Sequence, residues 1–276
     1  MCFALSPVKR PKFIVMKRIL IIIAIAAYLP GFAGGDDPVI YRSVKNTAFK
    51  RGEEISYRVH YGAMNAGVAV MSIDQTNKLI NGRPTLHAVG LGNSIGAFDW
   101  FFKVRDRYES YMDEDALMPW IFIRRVDEGG FKISQNQTYD HKNGRVNSNG
   151  KLMTVPKYIQ DMVSSFYYAR TLDFSNAKEG DIFSVETFID DSIWTMKLKF
   201  KGRETLKTDI GKVKCLKFCP VVQKGRIFKK EEDLLVYVSD DANHVPVRAE
   251  GSILVGTIKM DITSTKGLAV PLNIVK

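Results

Sequence analysis

The sequence predicts an all-β fold with one notable helix. Apolar and polar residues alternate along several segments, as at Ile55, Tyr57, Val59 and Tyr61, which places one face of an extended chain in a core. Gly and Asn residues separate these segments at the spacing of tight turns. The chain has 276 residues, of which 45% are hydrophobic and 25% charged, so it can bury a sizeable core.

Hairpins are expected along the first half of the chain. Gly62 and Gly67 bracket a short connection between the segment ending at Tyr61 and a second extended run, 68–73. Asn81-Gly82 is a favoured two-residue turn before an extended segment at 84–91. Further extended segments are expected at 101–113, 119–130, 131–140 and 144–152, with polar turns at 113–115 and 142–144.

One helix is predicted near residues 156–170. Pro156 suits a first helical turn, and five residues fall at helical spacing on one face: Tyr158, Met162, Ser165, Phe166 and Ala169. The apolar face of an amphipathic helix must pack against another part of the protein. Its aromatic side chains therefore favour core packing over a cofactor site.

The second half of the chain returns to strands. Trp194, Met196, Leu198 and Phe200 alternate with Thr195 and with lysines at 197, 199 and 201, which predicts apolar side chains inward and lysines outward. Polar turns are expected at Asp190-Asp191 and at 239–244. Around Gly251 and Gly256 the pattern predicts a strand pair or a bent strand.

Cys215 and Cys219 lie in one such segment. On a regular strand their Cα atoms are about 13 Å apart, at about 3.3 Å per residue, which is too far for a disulfide. Buried thiols are therefore favoured, and a disulfide that requires a β-bulge stays open. The spacing offers little support for metal or redox chemistry.

The N-terminus predicts export. Lys17 and Arg18 precede an apolar run, 19–29, which Pro30 ends, and cleavage is expected after Ala33. The run is short for a membrane span of about 20 residues, although an uncleaved anchor stays an alternative. The prediction is an N-terminal extension and signal peptide at 1–33, then a single exported β-rich domain at 34–276, with two joined halves as the alternative.

The charge says little about partners. The formal net charge is +10, but residues 1–33 hold five Lys or Arg and no Asp or Glu, so the rest of the chain carries +5. These charges are interspersed rather than clustered, and nucleic acid is not an expected partner.

Several blocks of the sequence resemble a known family: FKRGEEISYRVHYGAMNAGVAVM, VRDRYESYMDEDALMPWIFIRRVDEGGFK, QDMVSSFYYAR and DLLVYVSDDANHVPVRAEGSILVGTIKMDI. They are similar to successive blocks of the bacterial exported family called domain of unknown function 3108, in the form common in Bacteroidetes. The similarity spans about Phe49 to Thr263. The resemblance implies a secreted or periplasmic, strongly twisted antiparallel β-barrel or half-barrel, and it supplies no catalytic residues.

The candidate binding residues fall into three groups, of which the largest is a charged set on two neighbouring strands. Arg105, Arg107 and Glu109 alternate on one strand face, and Arg124, Arg125 and Glu128 on the next strand are expected to meet them. Arginines there are suited to gripping a carboxylate or phosphate, but ordinary cross-strand ion pairing is favoured. The other two groups are Trp100, in an aromatic cluster suited to a lipid cavity, a membrane or the core, and Arg58 with His60, on the polar face of the first strand.

No catalytic motif, metal site or cofactor is predicted, because no His, Cys or carboxylate group shows recognisable spacing. The leading hypothesis is a non-enzymatic cell-envelope protein that binds an apolar or amphiphilic ligand, such as a lipid, or a glycan or an envelope-assembly partner. It would reside in the periplasm or on the periplasmic face of the outer membrane, without a transmembrane span after cleavage. The alternative is a periplasmic hydrolase or carbohydrate-modifying enzyme with Asp106, Glu109 or Glu128 as acid and base.

Overall fold

The computed structural model describes residues 39–75, 77–221, 233–252 and 256–275. The predicted signal peptide at 1–33 lies outside these residues. From Tyr41 onward the chain forms one compact unit. No helix in the described ranges is long and apolar enough to cross a membrane.

Antiparallel strands make up most of this unit. The strands of the described residues are β1 Glu54–Tyr61, β2 Met64–Ile73, β3 Lys78–Ile80, β4 Arg83–Ser94, β5 Arg105–Asp113, β6 Pro119–Glu128, β7 Phe131–Asp140, β8 Arg145–Ser148, β9 Lys151–Thr154, β10 Ile182–Ile189, β11 Ser192–Thr208, β12 Gly211–Val221, β13 Leu234–Ser239, β14 Pro246–Ser252, β15 Thr257–Lys266 and β16 Ile274–Val275. The helices are α1 Gly96–Phe101 and α2 Met162–Ala169.

All the strands belong to one sheet. Its order is β10-β11-β12-β13-β14-β15-β1-β2-β4-β5-β6-β7-β8-β9, with β3 paired to β4 and β16 to β12. The first hairpin therefore lies in the middle, where β1 joins the late strand β15 in a register that includes Tyr57 opposite Ile262. In the described chain the outer strands β9 and β10 do not pair with each other. The structure confirms the all-β prediction in its half-barrel form.

Backbone and side-chain hydrogen bonds both bring the two wings of the sheet together, since Gln160, which precedes α2, pairs with Thr187 on β10. The β10–β11 turn is Asp190-Asp191, whose φ angles of 49° and 57° give the left-handed pair of a tight hairpin. Asp190 Oδ1 accepts from Arg124 Nη1 on β6 at 2.8 Å, and Asp191 Oδ1 accepts from Gln135 Nε2 on β7 at 3.1 Å. The sheet is therefore curved enough for this turn to reach the opposite wing.

The main helix begins later than the sequence pattern suggests. Helix α2 starts at Met162, because the Asp161 side chain accepts from the backbone N–H groups of Val163 and Ser164 and caps it there. Upstream, Tyr158 has a φ of 63°, in the left-handed region, so no helix runs through it from Pro156. The structure confirms a helix in this region, but the predicted start at Pro156 is wrong.

Two other predicted boundaries are wrong. The extended segment expected from residue 101 begins only at Arg105, because Gly96–Phe101 form the short helix α1. Gly67 does not close the first hairpin, since the turn is Gly62-Ala63 and Gly67 lies within β2. A Cβ on Gly67 would lie 2.7 Å from the backbone oxygen of Asn93, so this glycine permits close packing of β2 on β4.

The core has two main parts. One packs α2 onto β4–β6 through side chains that include Leu86, Met112, Phe122 and Val163. The other joins β1, β12, β14 and β15 through Ile55, Tyr57, Val213, Val247 and Ile262. Both parts use the alternate residues that face the concave side of the sheet.

The two cysteines lie on β12. Both side chains are buried and they are not joined in a disulfide, as predicted. Burial raises the pKa of the Cys215 thiol to about 12. Its thiolate is therefore scarce at neutral pH, which suits a packing role.

Candidate functional site

An apolar cavity lies between α2 and the curved sheet. Its volume is about 400 Å³, within the range of pockets that hold small molecules. Its walls come from α2, from the segment that follows it and from strands β10–β15. A second pocket, of about 550 Å³, lies near Val44, Phe49 and Glu114, and its lining is more polar.

The sheet supplies alternate residues to this cavity. Trp194, Met196 and Leu198 on β11 face it, as their alternation with lysines predicted. Phe218 and Pro220 on β12 and Val236 on β13 continue the same face. Because neighbouring strands pair in register, their inward side chains make one continuous apolar wall.

The helix supplies the opposite wall. Met162, Ser165, Phe166 and Ala169 line the cavity, at the helical spacing noted in the sequence. The sequence favoured core packing for this face. In the structure Val163 and Tyr167 lie in the core, whereas Met162 and Phe166 both pack against that core and line the cavity.

Buried polar groups fix both ends of α2. At its start, Asp161 is fully buried and accepts from Ser110 Oγ at 2.5 Å as well as from the first helical N–H groups. Burial raises the pKa of the Asp161 carboxyl to about 6, despite these hydrogen bonds. The wall is therefore anchored to β5 through Ser110.

At the other end, Arg170 forms a buried ion pair with Glu53. Its Nη1 and Nη2 donate to the two carboxylate oxygens at 2.6 and 2.8 Å. Nε donates to the Asn243 carbonyl at 2.9 Å, and Nη2 donates also to the Ala48 carbonyl at 3.0 Å. Such a fully bonded pair holds its elements in one arrangement, since loss of either partner leaves a buried charge uncompensated.

Polar atoms meet the cavity mainly where α2 ends. The lining includes Ser165, Arg170 and His244, whereas the rest is aliphatic, aromatic or proline. His244 Nδ1 donates to the Arg170 carbonyl at 2.7 Å, which fixes the ring. A cavity of this kind suits an apolar chain, with room for one polar group near His244.

The predicted arginine set divides between the two faces of the sheet. Arg105, Arg107 and Glu109 share one face of β5 with Arg125, which lies opposite Arg107 on β6. Arg124 lies opposite Tyr108 and so belongs to the other face, with Glu128. The six residues are therefore not one cluster.

The β5 residues of this set are occupied by ion pairs. Arg105 Nη1 lies 2.7 Å from Asp99 Oδ1, and hydrogen bonds from Arg105 and Ser94 lower the pKa of that carboxyl to about 2. Arg107 Nε donates to Glu109 Oε1 at 2.7 Å. Burial raises the pKa of Glu109, but hydrogen bonds from Arg107 and His87 outweigh it and lower the pKa overall.

On the concave face, two carboxyl groups lie together. Burial raises the pKa of Asp106 to about 6, and the neighbouring Glu128 carboxyl adds to the shift. The Asp127 N–H donates to Asp106 Oδ1 at 3.2 Å, which holds this carboxyl beside the end of β6.

The remaining predicted residues also lie away from the cavity. Arg58 Nη1 is 2.8 Å from Asp209 Oδ2, and His60 Nε2 is 3.9 Å from Asp261 Oδ2. Trp100 is 91% exposed on α1. The cavity lining in the described chain includes none of the predicted site residues. Alternation along β11 pointed to the correct face, but no sequence signal distinguished a lined cavity from a filled core.

Comparison with known proteins places the chain in a family. Residues 56–263 match the family described as protein of unknown function (DUF3108). The chain belongs to this family, as its sequence blocks indicated. None of the curated proteins with which the sequence was compared is similar to it.

One solved structure supports the fold. A β-barrel-like protein of domain of unknown function DUF1849 from Brucella abortus has a TM-score of 0.52 at 8% identity, over 82% of this chain and 99% of that one. The hypothetical protein CT021 from Chlamydia trachomatis scores 0.37 at 8% identity, over 83% and 94% of the two chains. A Bacteroides fragilis protein with a YmcC-like fold scores 0.33 at 12% identity, over 82% and 100%. The first of these shows a shared barrel-like fold.

Proposed function

We propose that this chain is a non-enzymatic exported protein of the cell envelope that binds an apolar or amphiphilic ligand between α2 and the sheet. The single observation that carries the proposal is the cavity of about 400 Å³ with its apolar lining. Side chains normally fill a protein interior, so an apolar space of this size between ordered walls is suited to a ligand.

The composition of the lining favours a lipid chain over a glycan. A sugar needs several hydrogen-bonding partners, since its hydroxyl groups lose water on entry. The cavity offers few, because Ser165, Arg170 and His244 are its polar residues and Arg170 is already bonded to Glu53. An alkyl chain gives up no hydrogen bonds to water when it contacts Met196 or Phe166, and its transfer out of water is favourable in free energy.

The proposed location is the periplasm or the periplasmic face of the outer membrane. It is supported by the Lys17-Arg18 and apolar run at the N-terminus, which fits a signal peptide. An envelope protein that contacts lipids or lipid-bearing partners could bind a lipid chain in such a cavity.

Native mass spectrometry of protein exported by its own cells, purified without detergent, tests this proposal. We expect a fraction of the wild-type protein to carry a bound amphiphile. Met196→Trp places a larger ring in the cavity and should lower that fraction several-fold. Lys197→Trp is the matched control, because it puts the same ring on the next residue, which is exposed on the outer face.

Two results would contradict the proposal. One is a wild-type protein that carries no adduct even after incubation with a single-chain amphiphile. The other is equal occupancy in Met196→Trp and Lys197→Trp. Urea unfolding of both variants should show that each is folded before the occupancies are compared.

A further inference from the structure

One histidine is held in a fixed position in the wall of the cavity. His244 lies in the β13–β14 turn with a φ of 43°, in the left-handed region, where a residue other than glycine needs support from its surroundings. The preceding residue, Asn243, supplies that support. Its buried side chain donates to the Val270 carbonyl at 3.0 Å and accepts from the Val270 N–H at 3.0 Å.

The end of α2 fixes the rotation of the His244 ring. The Arg170 carbonyl lies 2.7 Å from Nδ1, and because a carbonyl only accepts, Nδ1 carries the hydrogen. In return, Arg170 Nε donates to the Asn243 carbonyl at 2.9 Å. Phe174 packs edge-on against the imidazole, with 4.9 Å between the ring centres. The ring is therefore held by a hydrogen bond and by an aromatic contact.

The second nitrogen of this ring is a hydrogen-bond acceptor. Only one nitrogen of a neutral imidazole carries a hydrogen, so Nε2 keeps its lone pair when Nδ1 donates. Within the described ranges of the chain, Nε2 has no hydrogen-bond or ion-pair partner. His244 borders the cavity beside Phe174 and Arg170. A ligand in the cavity therefore has a fixed acceptor within its reach.

The other polar side chains on this side of the cavity offer little to an anion. Ser165 Oγ donates to the Met162 carbonyl at 3.0 Å, which uses its hydrogen. The Arg170 guanidinium is neutralised by Glu53, donates also to two carbonyls and is only 3% exposed. An anionic head group would lose its water here without gaining a free cation.

The indole N–H of Trp194 belongs to the other end of the cavity. Trp194 lies opposite Thr187 on β10, and Thr187 forms a backbone bridge with Gln160, just before α2 begins. His244 instead bonds to the residue that follows α2. The eight residues of α2 separate these two ends by about 12 Å. A head group that contacts His244 is therefore out of reach of this donor.

We propose that His244 Nε2 accepts a hydrogen bond from the head group of the ligand, and that this head group is uncharged and carries an O–H donor. The inference rests on the proposed function, since it requires an alkyl chain in the cavity. A head group without a donor would cover Nε2 and leave it without water or a partner, which disfavours binding. A single-chain alcohol has the required chemistry.

Titration with two isomeric probes tests this contact. Decanol and methyl nonyl ether contain the same atoms, but only the alcohol donates a hydrogen bond. Exported protein, freed of bound lipid on a hydrophobic resin, is titrated by calorimetry at a pH of about 8, above the usual range of histidine pKa values. We expect wild type to bind decanol about three- to tenfold more tightly than the ether, because one neutral hydrogen bond distinguishes them.

His244→Asn removes the acceptor and keeps the turn. Asparagine tolerates a left-handed φ, and its Nδ2 takes the place of the histidine Nδ1 toward the Arg170 carbonyl. In this variant the ratio of the two affinities should fall to within about twofold of unity, because the distinguishing hydrogen bond is lost. Ser165→Ala is the matched control, since it removes a different polar group from the lining and should keep the preference for decanol.

The possible failures are distinguishable. Equal affinity of wild type for the two probes would overturn the contact with His244 and leave the proposed function intact, because both probes would still bind. A preference that survives in His244→Asn, or that disappears in Ser165→Ala, would overturn the assignment of the contact. Tighter binding of decanoate than of decanol would overturn the uncharged class of head group. Binding of neither probe would contradict the proposed function and this inference with it.

Discussion

At the scale of single residues, Asp161 shows how one buried side chain positions the wall of the cavity. It caps α2, bonds to Ser110 on β5 and starts a capping box with Ser164. The pair Asp161 and Ser164 is visible in the sequence as a helix-start signal. The sequence prediction placed the start at Pro156 because proline suits a first turn, and a local pattern cannot choose between two such signals.

The titration of Asp161 predicts a pH effect on stability. Burial raises its pKa in the folded protein to about 6, against about 3.9 in the unfolded chain. Between these values the folded state holds a proton that the unfolded state has lost. The contribution of Asp161 to the free energy of unfolding therefore falls by roughly 2–3 kcal/mol as pH rises from 4 to 6.

Asp161→Asn removes this titration and keeps a good helix cap. Relative to wild type, we expect the variant to gain stability as pH rises from 4 to 7, by urea unfolding at each pH. The comparison between the two proteins matters, because Glu109, Asp113 and Asp261 have lowered pKa values and act in the opposite direction in both. A constant difference, or one that moves against the variant, would show that Asp161 is already ionised at pH 4.

At the scale of elements, the strands were largely predictable and their exact roles were not. Alternation located β1, β11 and the inward faces of both, and Asn81-Gly82 and Asp190-Asp191 marked real turns, with positive φ at all four residues. Gly67 was assigned to a turn because glycine serves turns and close backbone packing equally well. The role of Gly67 depends on the neighbouring strand β4, whose Asn93 lies 26 residues further along the chain and is not identified by the local sequence.

Two glycines in strands test this account of β2. Gly67→Ala should destabilise the protein by about 1–3 kcal/mol, since its methyl group would meet the Asn93 backbone. Gly90→Ala on β4 is the control, because its new Cβ would lie 3.9 Å from Tyr108 Cβ, an ordinary contact. It should be neutral or stabilising by about 0.5–1 kcal/mol. Equal urea midpoints for the two variants would argue against the close approach of β2 and β4.

At the scale of the whole molecule, family and fold were accessible from sequence, whereas the cavity was not. Ordered blocks from Phe49 to Thr263 identified the family, and that match is confirmed. The cavity needs α2 and the strands from β10 to β15, which meet only after the sheet has curved. Alternation shows that Met196 points inward, but not whether another side chain lies against it.

The charged candidates lie on two faces of the sheet for a related reason. Arg105 and Arg124 were expected to converge, but the register of β5 on β6 puts them on opposite faces. A shift of one residue in that register would have brought them together. Local sequence does not set the register of two long strands joined by a loop, so the prediction of a single arginine cluster had no firm basis.

The central claim is that the space between α2 and the sheet holds an alkyl chain. Crystals of the exported protein grown with a bromine-labelled single-chain amphiphile test it most directly, because the anomalous signal of bromine locates the chain. We predict a bromine peak within the cavity, between Phe166 on α2 and Met196 on β11. Bromine bound only at the protein surface, with the cavity filled by ordered water, would contradict the account.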